Sequence, residues 1–476
     1  MDGPQCPGCK ERDARIAELE RRLSVLEARL KTNSSNSSTP PSANPLGAGP
    51  PVTKKKKKKK RPRGGQTGHP PHLKELFPAE QVTRTEAFVP DVCSGCQAPL
   101  PRETSAGDPE PKRFQVVELP KIVLDVTEYQ AHGRTCPHCG VLTQATIPAE
   151  IRAHSVGPGL TATLSYFSGC HGVSKRGVEE IAETVLGASI ALGTVANLEQ
   201  EVSAAVEPAH QEALQAVRQA DVKFADETSW KLWGKLCWLW AAAIAGVAVF
   251  VIHAKRGANG LAAILGESIE GIVHSDRWHV YLQVPEQYRQ LCWAHLKRDF
   301  QRIVDCGGPS VFVGRRGLRI VRELFVAWHA FQAGTITRSR LRELIAPLER
   351  RLSKTLLEGA FGDDARVAKF CANLINLELA LWTFARVEGV EPTNNYMERL
   401  VRLAVLWRRR SFGCNSALGC RFVERILTVV QTCRLKKRNT GGIPSQSRLC
   451  LPRRQTVPQL SRGLMNGYSV HLFVKG

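Results

Sequence analysis

The sequence predicts a multidomain α/β protein: a sheet-based core carrying an all-α insertion, preceded by smaller N-terminal modules. Three observations carry this. Two apolar runs, Leu236–Ile244 and Val247–Ala254, flank a small-residue turn at Ala245-Gly246 and read as a buried hairpin. A short β-favouring run, Val222–Ala225, ends on Asp226, and a second, Gly271–His274, follows a helical segment and delivers Asp276. Residues 301–390 are leucine-rich and periodic, as in packed helices.

A lone Asp after a strand is usually a turn residue or a helix cap. Two carboxylates at the ends of two strands, with a hairpin and a helix between them, say more. That is how a ribonuclease H-like sheet builds half of a metal site. The charge-free stretch from Leu236 to Ile252 is also as long as a short membrane span. Gly246 interrupts it, and Val249, Val251 and Ile252 are β-branched, so a hairpin is expected and no membrane contact. Tyr288 to Trp293 reads as a further strand, and His295 opens a basic helix with Lys297 and Arg298. Cys292 and His295 have ligand chemistry, but without a second pair they read as a brace at the strand–helix junction.

A length of 476 residues allows about three domains. The net charge of +22 points to a polyanionic partner, most simply nucleic acid. Fifteen cysteines without a secretory signal suggest a reducing compartment, with thiols free or on metal.

The chain opens with Cys6 and Cys9, half of a zinc site, and then a helix over residues 10–32. Its Ile16, Leu19, Leu23, Leu26 and Leu30 form an a/d seam barely two heptads long, read as a short coiled coil for self-association. Residues 33–70 are polar and proline-rich, a disordered linker. Within it Lys54, Lys55, Lys56, Lys57, Lys58, Lys59, Lys60, Arg61 and Arg63 would hold phosphate without sequence preference.

In residues 71–150 two Cys-x-x-Cys knuckles, Cys93/Cys96 and Cys136/Cys139, are separated by a segment read as β-rich, Phe114 to Tyr129. Four thiolates close a tetrahedral shell with no open position, so a zinc ribbon with one structural Zn²⁺ is expected. Residues 157–208 read as three helices, with Gly187 as a stop. Gly193-Thr194 opens the third, which fits a helix-turn-helix, and Lys175 and Arg176 on the second are candidate DNA contacts.

The core is expected over 220–438, with its helical insertion over 301–390. Its third acid is Glu398, in EPTNNYMERLVR. Asn395 and Glu398 have capping-box spacing, which is the bland reading. The helix also carries Arg399, Arg402, Arg408, Arg409 and Arg410, more cation than a solvated face needs, and four of these, Arg402, Arg408, Arg409 and Arg410, are candidate DNA contacts. Residues 439–476 show no sustained period and read as disordered or as a shifted reading frame.

Taken in order, NSSNSSTPPS, RGGQTGH, the paired knuckles, ADETSW, HSDRWHVY, CWAHLKRDF, PTNNYMERLVR and SFG…ERILTVVQTC resemble the bacterial insertion-sequence transposases of the insertion sequence sixty-six type. The likeness covers about Ile16 to Arg438. It implies a ribonuclease H-like core with an Asp-Asp-Glu triad falling on Asp226, Asp276 and Glu398. Such a triad would hold two Mg²⁺ ions, Asp226 bridging both, for DNA strand cleavage and strand transfer. The implied partners are double-stranded DNA (element ends and target), further copies of the chain and accessory transposon proteins. The implied location is the bacterial cytoplasm at the nucleoid. No Walker A sequence is present, so no nucleotide-driven step is expected. The segment after Arg438 departs from the family pattern. The alternative is therefore a decayed copy that acts only as a sequence-specific DNA-binding protein or repressor.

Overall fold

The computed structural model describes residues 7–30, 33, 36, 75–103, 105 and 107–437. The basic stretch from Lys54 to Arg63, Cys6 and the tail beyond residue 437 lie outside the described residues. The chain forms two units, residues 52–123 and the remainder. Among the described residues no helix is long and apolar enough to cross a membrane.

Helix α1 is Pro7–Leu30. Its seam residues Ile16, Leu19, Leu23 and Leu26 are all exposed in the single chain. In the smaller unit an isolated bridge joins Val92 to Pro99 around the first knuckle. The expected β-rich segment is not a sheet. From residue 110 to 132 the backbone makes no strand, and Phe114, Val116, Val123 and Val126 are exposed. β-Favouring residues supply only half of what a strand needs; the other half is a partner edge, and Pro120 removes a donor midway. The strands that do form, β1 (Gly133–Thr135) and β2 (Leu142–Gln144), pair antiparallel across the second knuckle.

A one-turn helix α2 (Ala149–Arg152) leads into α3 (Pro158–His171), α4 (Lys175–Thr184) and α5 (Leu192–Ala205). Ser174 caps α4 by accepting from the Gly177 N–H, and Gly187 takes the left-handed φ of +73° that the stop after α4 requires. Leu164, Val178, Ala182, Val195 and Leu198 close a small core between these helices. The expected reading helix, α5, turns Val195, Leu198, Val202 and Ser203 inward. Its exposed face offers Asn197 and Glu201, which have base-edge chemistry, and no Lys or Arg to hold phosphate. After α5 the chain does not stop at Pro208, because proline is tolerated in a first turn, and α6 runs Glu207–Arg218.

The main sheet has the order β5-β4-β3-β6-β7, with β3 (Val222–Leu232), β4 (Lys235–Ile244), β5 (Val247–His253), β6 (Ile272–Ser275) and β7 (Arg289–Leu291). The apolar runs form the predicted hairpin, turned at Gly246, φ +78°. Helix α7 (Ala258–Leu265) connects β5 to β6, which pairs parallel with β3. β3 is longer than expected. It continues past Asp226 to Leu232 because β4 offers it an unbroken antiparallel edge, Phe224↔Ala243 through Leu232↔Lys235. Parallel pairing with β6 stops at Phe224↔His274. Asp226 therefore lies within a strand, just beyond the point where β3 and β6 part.

β5 is an edge strand, and its outward N–H groups are taken by α15 (Ala417–Leu435). Ala248, Phe250 and Ile252 donate to Thr432 Oγ1, Thr428 Oγ1 and Glu424 Oε1 over 3.1, 3.2 and 2.5 Å. One sheet face packs on α14 (Asn395–Ser411) and α15 through Phe224, Trp230, Leu239 and Phe250. The other packs on α6 and α7 through Ala225, Trp240, Val249 and Val273.

Helix α8 (Trp293–Cys306) follows β7, and the insertion continues with α9 (Val311–Gln332), α10 (Arg338–Ala360), α11 (Ala365–Ile375), α12 (Glu378–Leu381) and α13 (Thr383–Arg386). It has its own core, from Phe300 through Leu324, Leu348 and Leu374. It returns to where it departed. Trp293 N–H donates to Pro392 O over 2.9 Å, and Glu391 N–H donates to His274 Nε2 over 3.0 Å. The His274 Nδ1–H is committed to the Lys223 carbonyl, 3.2 Å away, which makes Nε2 the acceptor. Burial holds this imidazole down at about 4 and keeps it neutral.

Candidate active site

Three elements bring Asp226, Asp276 and Glu398 to one end of the sheet. Alternation along β3 puts Asp226 on the face that packs on α14, together with Phe224, Thr228 and Trp230. Its Oδ1 accepts the Glu227 N–H over 2.9 Å. Burial raises the Asp226 carboxyl well above the ordinary range, and the charges of Glu227, Asp276 and Glu398 raise it further. Asp276 follows β6, and its Oδ1 accepts the Trp278 N–H over 2.8 Å. Its carboxyl is also raised by burial, against the pull of that N–H and of Arg256, Arg277 and Arg289.

Glu398 lies one turn into α14. The helix starts differently from the capping-box expectation. Asn394 is the N-cap residue but makes no side-chain cap; its Nδ2 instead donates to the Ala225 carbonyl over 2.8 Å. Its N–H donates to Cys292 Sγ over 3.1 Å. Glu398 is thereby turned toward α8, where its Oε1 is 3.5 Å from His295 Nδ1 and 3.5 Å from Arg298 Nη2.

Glu227 faces the other way, and this network was not foreseen. Its Oε2 accepts from Tyr281 Oη over 2.7 Å, and its Oε1 accepts from Arg256 over 2.6 and 2.9 Å. The Arg256 guanidinium lies over Trp278 at 3.9 Å and Trp238 at 4.6 Å. Arg289, buried beneath, donates to the Asp276 carbonyl over 3.2 Å and to Ser275 Oγ over 3.3 Å, and burial lowers it to about 10. The only local signal for these partners is the density of Trp, Tyr and Arg around HSDRWHVY.

Carboxylate oxygens are hard donors, and the charges of Asp276 and Glu398 both bear on Asp226, so the chemistry of the three side chains fits a divalent cation such as Mg²⁺ as a donor set. The knuckles fit zinc chemistry individually. In each, the first cysteine donates its N–H five residues on, Cys93 to Ala98 O and Cys136 to Val141 O, both 2.9 Å. In each it also accepts four residues on, from Gln97 and Gly140, both at positive φ. Backbone N–H groups of Cys96 and Gly95 lower the Cys93 thiol, and those of Cys139 and His138 lower that of Cys136.

The basic candidates divide. Arg402, Arg409 and Arg176 are exposed. Arg410 is exposed too and donates to the His171 carbonyl over 2.7 Å. Arg408 is turned inward, donating to Thr228 Oγ1 at 3.0 Å and Ser229 Oγ at 2.5 Å, so it braces β3 rather than reaching outward. Lys175 pairs with buried Glu199, which also accepts from Ser168 Oγ.

Comparison with known families adds two findings. The family described as Transposase IS66 family matches residues 154–421, a span that takes in all three acids, the hairpin and the whole insertion. A family of unknown function (DUF6444) matches residues 10–75. No curated protein matches the chain.

Proposed function

The chain belongs to the Transposase IS66 family, matched over more than half its length, and from that premise we propose that it is a DNA transposase that nicks element ends and joins them to target DNA. What supports the reading most is one observation: residues 226, 276 and 398 meet at one sheet end, where the charges of Asp276 and Glu398 both raise Asp226.

Asp226, Asp276 and Glu398 would hold the two Mg²⁺ ions, with Asp226 shared. Bound there, the ions supply Lewis acidity to the attacking oxygen and to the leaving 3′ oxygen. The chain's own part is positioning. β3 and β6 fix the two aspartates on a rigid sheet, and Asn394 fixes the helix of Glu398 against β3. Arg256 pairs with Glu227 on the opposite face and offsets part of the charge that Glu227 adds beside Asp226. Strand transfer by the freed 3′-OH is a second displacement of the same kind and needs no covalent protein–DNA intermediate.

Arg402 and Arg409 continue the line of Glu398 along α14, four and eleven residues beyond it, and are exposed cations that could meet the DNA backbone. The Lys54–Arg63 stretch adds phosphate affinity, the paired knuckles a zinc ribbon, and the seam of α1 self-association. Incubation of the full chain with Mg²⁺ and DNA carrying the flanking inverted repeats tests the reading. End-specific nicks are expected. Binding without nicks would favour the decayed, repressor-like copy, and cutting without end preference a plain nuclease.

A further inference from the structure

Beside the triad lies a second set of ligand atoms. Cys292 Sγ, a nitrogen of His295 and a carboxylate oxygen of Glu398 all lie within 4.8 Å of one another. Cys292 ends the β7 strand as the N-cap of α8, His295 sits in the first turn of that helix, and Glu398 comes from α14. One helical turn brings residues three apart onto the same side, which is why a Cys-x-x-His at a helix start can present sulfur and nitrogen to one point.

Several details suit an ion. His295 Nδ1 and Glu398 Oε1 are both shut off from solvent and have no hydrogen-bond partner. They are 3.5 Å apart. The Asn394 N–H fixes Cys292 Sγ from behind over 3.1 Å, as an outer-shell donor orients a metal ligand. Sulfur, nitrogen and a single oxygen form a borderline-soft set. That set suits Zn²⁺ or Co²⁺ in a tetrahedral site with one open position, and it suits Mg²⁺ poorly. The competing group is Arg298, whose Nη2 is 3.5 Å from the same oxygen.

We propose that Cys292, His295 and Glu398 form a second divalent-metal site, of zinc type, that shares Glu398 with the acid triad. Binding releases the thiol proton to solvent and displaces Arg298 from the carboxylate. The consequence for activity rests on the transposase reading: an ion held on this side draws Glu398 toward α8 and away from Asp226. Zinc in excess then lowers nicking at fixed Mg²⁺.

The test uses the full chain, stripped by chelator and titrated with Co²⁺. Apart from any metal taken by the knuckle cysteines, whose band is removed in a parallel Cys93→Ser/Cys136→Ser chain, an equivalent is expected with the charge-transfer absorption of one thiolate. It should disappear in His295→Gln and in Cys292→Ser and tighten in Arg298→Ala. Titration of the unmodified chain without that band overturns the site, whether or not the variants fold. So does a band that persists in a folded His295→Gln. Nicking is read separately. At ten equivalents of Zn²⁺ the unmodified chain should lose tenfold or more of its rate, and His295→Gln less than twofold of its own. If no preparation nicks DNA yet the single-thiolate band is present, the metal site stands and the transposase reading falls.

Discussion

Asn394 Nδ2 donates to the backbone carbonyl of Ala225 over 2.8 Å, so the helix of Glu398 is tied to β3 one residue ahead of Asp226. The two acids are far apart in the chain, and this bond joins the elements that carry them. Asn394→Ala leaves the buried carbonyl without its donor, which costs about 1–3 kcal/mol. Nicking should fall by roughly ten- to a hundredfold, the scale that accompanies a shift of about 1 Å in a reacting group. A rate within twofold of the parent at unchanged melting temperature would show that the tie does not position Glu398.

Asp226→Asn should abolish nicking and also stabilise the metal-free protein. The native carboxyl binds its proton more tightly than the unfolded one does, so ionising it at neutral pH works against folding. A rise in melting temperature of a few degrees at neutral pH is expected, at about 2–4 °C per kcal/mol for a core of this size. Mg²⁺ should raise the melting temperature of the parent and not of the variant. DNA-end binding should persist. A variant that nicks within a few-fold of the parent would remove Asp226 from the mechanism.

Glu227→Gln is the contrasting case. Strand alternation does turn Glu227 to the opposite face, but there it is the partner of Arg256 and Tyr281. Removing one member of a largely buried ion pair costs about 3–5 kcal/mol at full burial, and less here because Arg256 is partly exposed. The variant should melt lower yet nick at least tenfold faster than Asp226→Asn. Equal loss of nicking in both would place Glu227 among the reacting groups.

Glu424 makes stability depend on pH. Burial raises its native carboxyl to about 7. The native state therefore holds a proton that the unfolded chain releases near its ordinary pKa of about 4.3. The contribution of this group is present at low pH and is lost as pH rises through about 7. Glu424→Gln keeps an acceptor for the Ile252 N–H, so it should gain stability relative to the parent steadily between about pH 4.3 and 7. Denaturant unfolding at four pH values reads the gap. A constant gap would mean that Glu424 is not the titrating group.

On the zinc-ribbon proposal, Cys136→Ser should lower the zinc content of the pure protein and loosen residues 133–144 without lowering the main transition. Elemental analysis before and after substitution checks it.

The hairpin, both aspartates and the insertion were legible because strand and helix periods are local properties of the chain. Asp226 was expected at a strand end, yet β3 runs on to Leu232, since its length depends on the edge that β4 presents. The β-favouring composition of Phe114 to Tyr129 was equally clear and produced no sheet, for want of such an edge. The arginines of α14 could be counted, but which one turns inward is decided by Thr228 and Ser229, about 180 positions away. The nearness of Cys292 and His295 to Glu398 is of the same kind. It follows from Trp293 and Glu391 fastening the two ends of the insertion to one place, so that the helices between add sequence without adding distance.

The α15 contact with β5 sets two rulers side by side. Four residues of helix advance about 6 Å, and two residues of strand about 6.6 Å. Thr432, Thr428 and Glu424 step along one scale while Ala248, Phe250 and Ile252 step along the other, in opposite directions. Like the marks of a vernier, the scales agree closely for a few divisions and then drift apart. Three rungs accumulate a slip of just over 1 Å, within the tolerance of a hydrogen bond; a longer ladder would need the strand to coil or the helix to bend. For those three rungs the outer margin of the sheet is sealed by side chains, and no foreign strand can add itself there and extend the sheet.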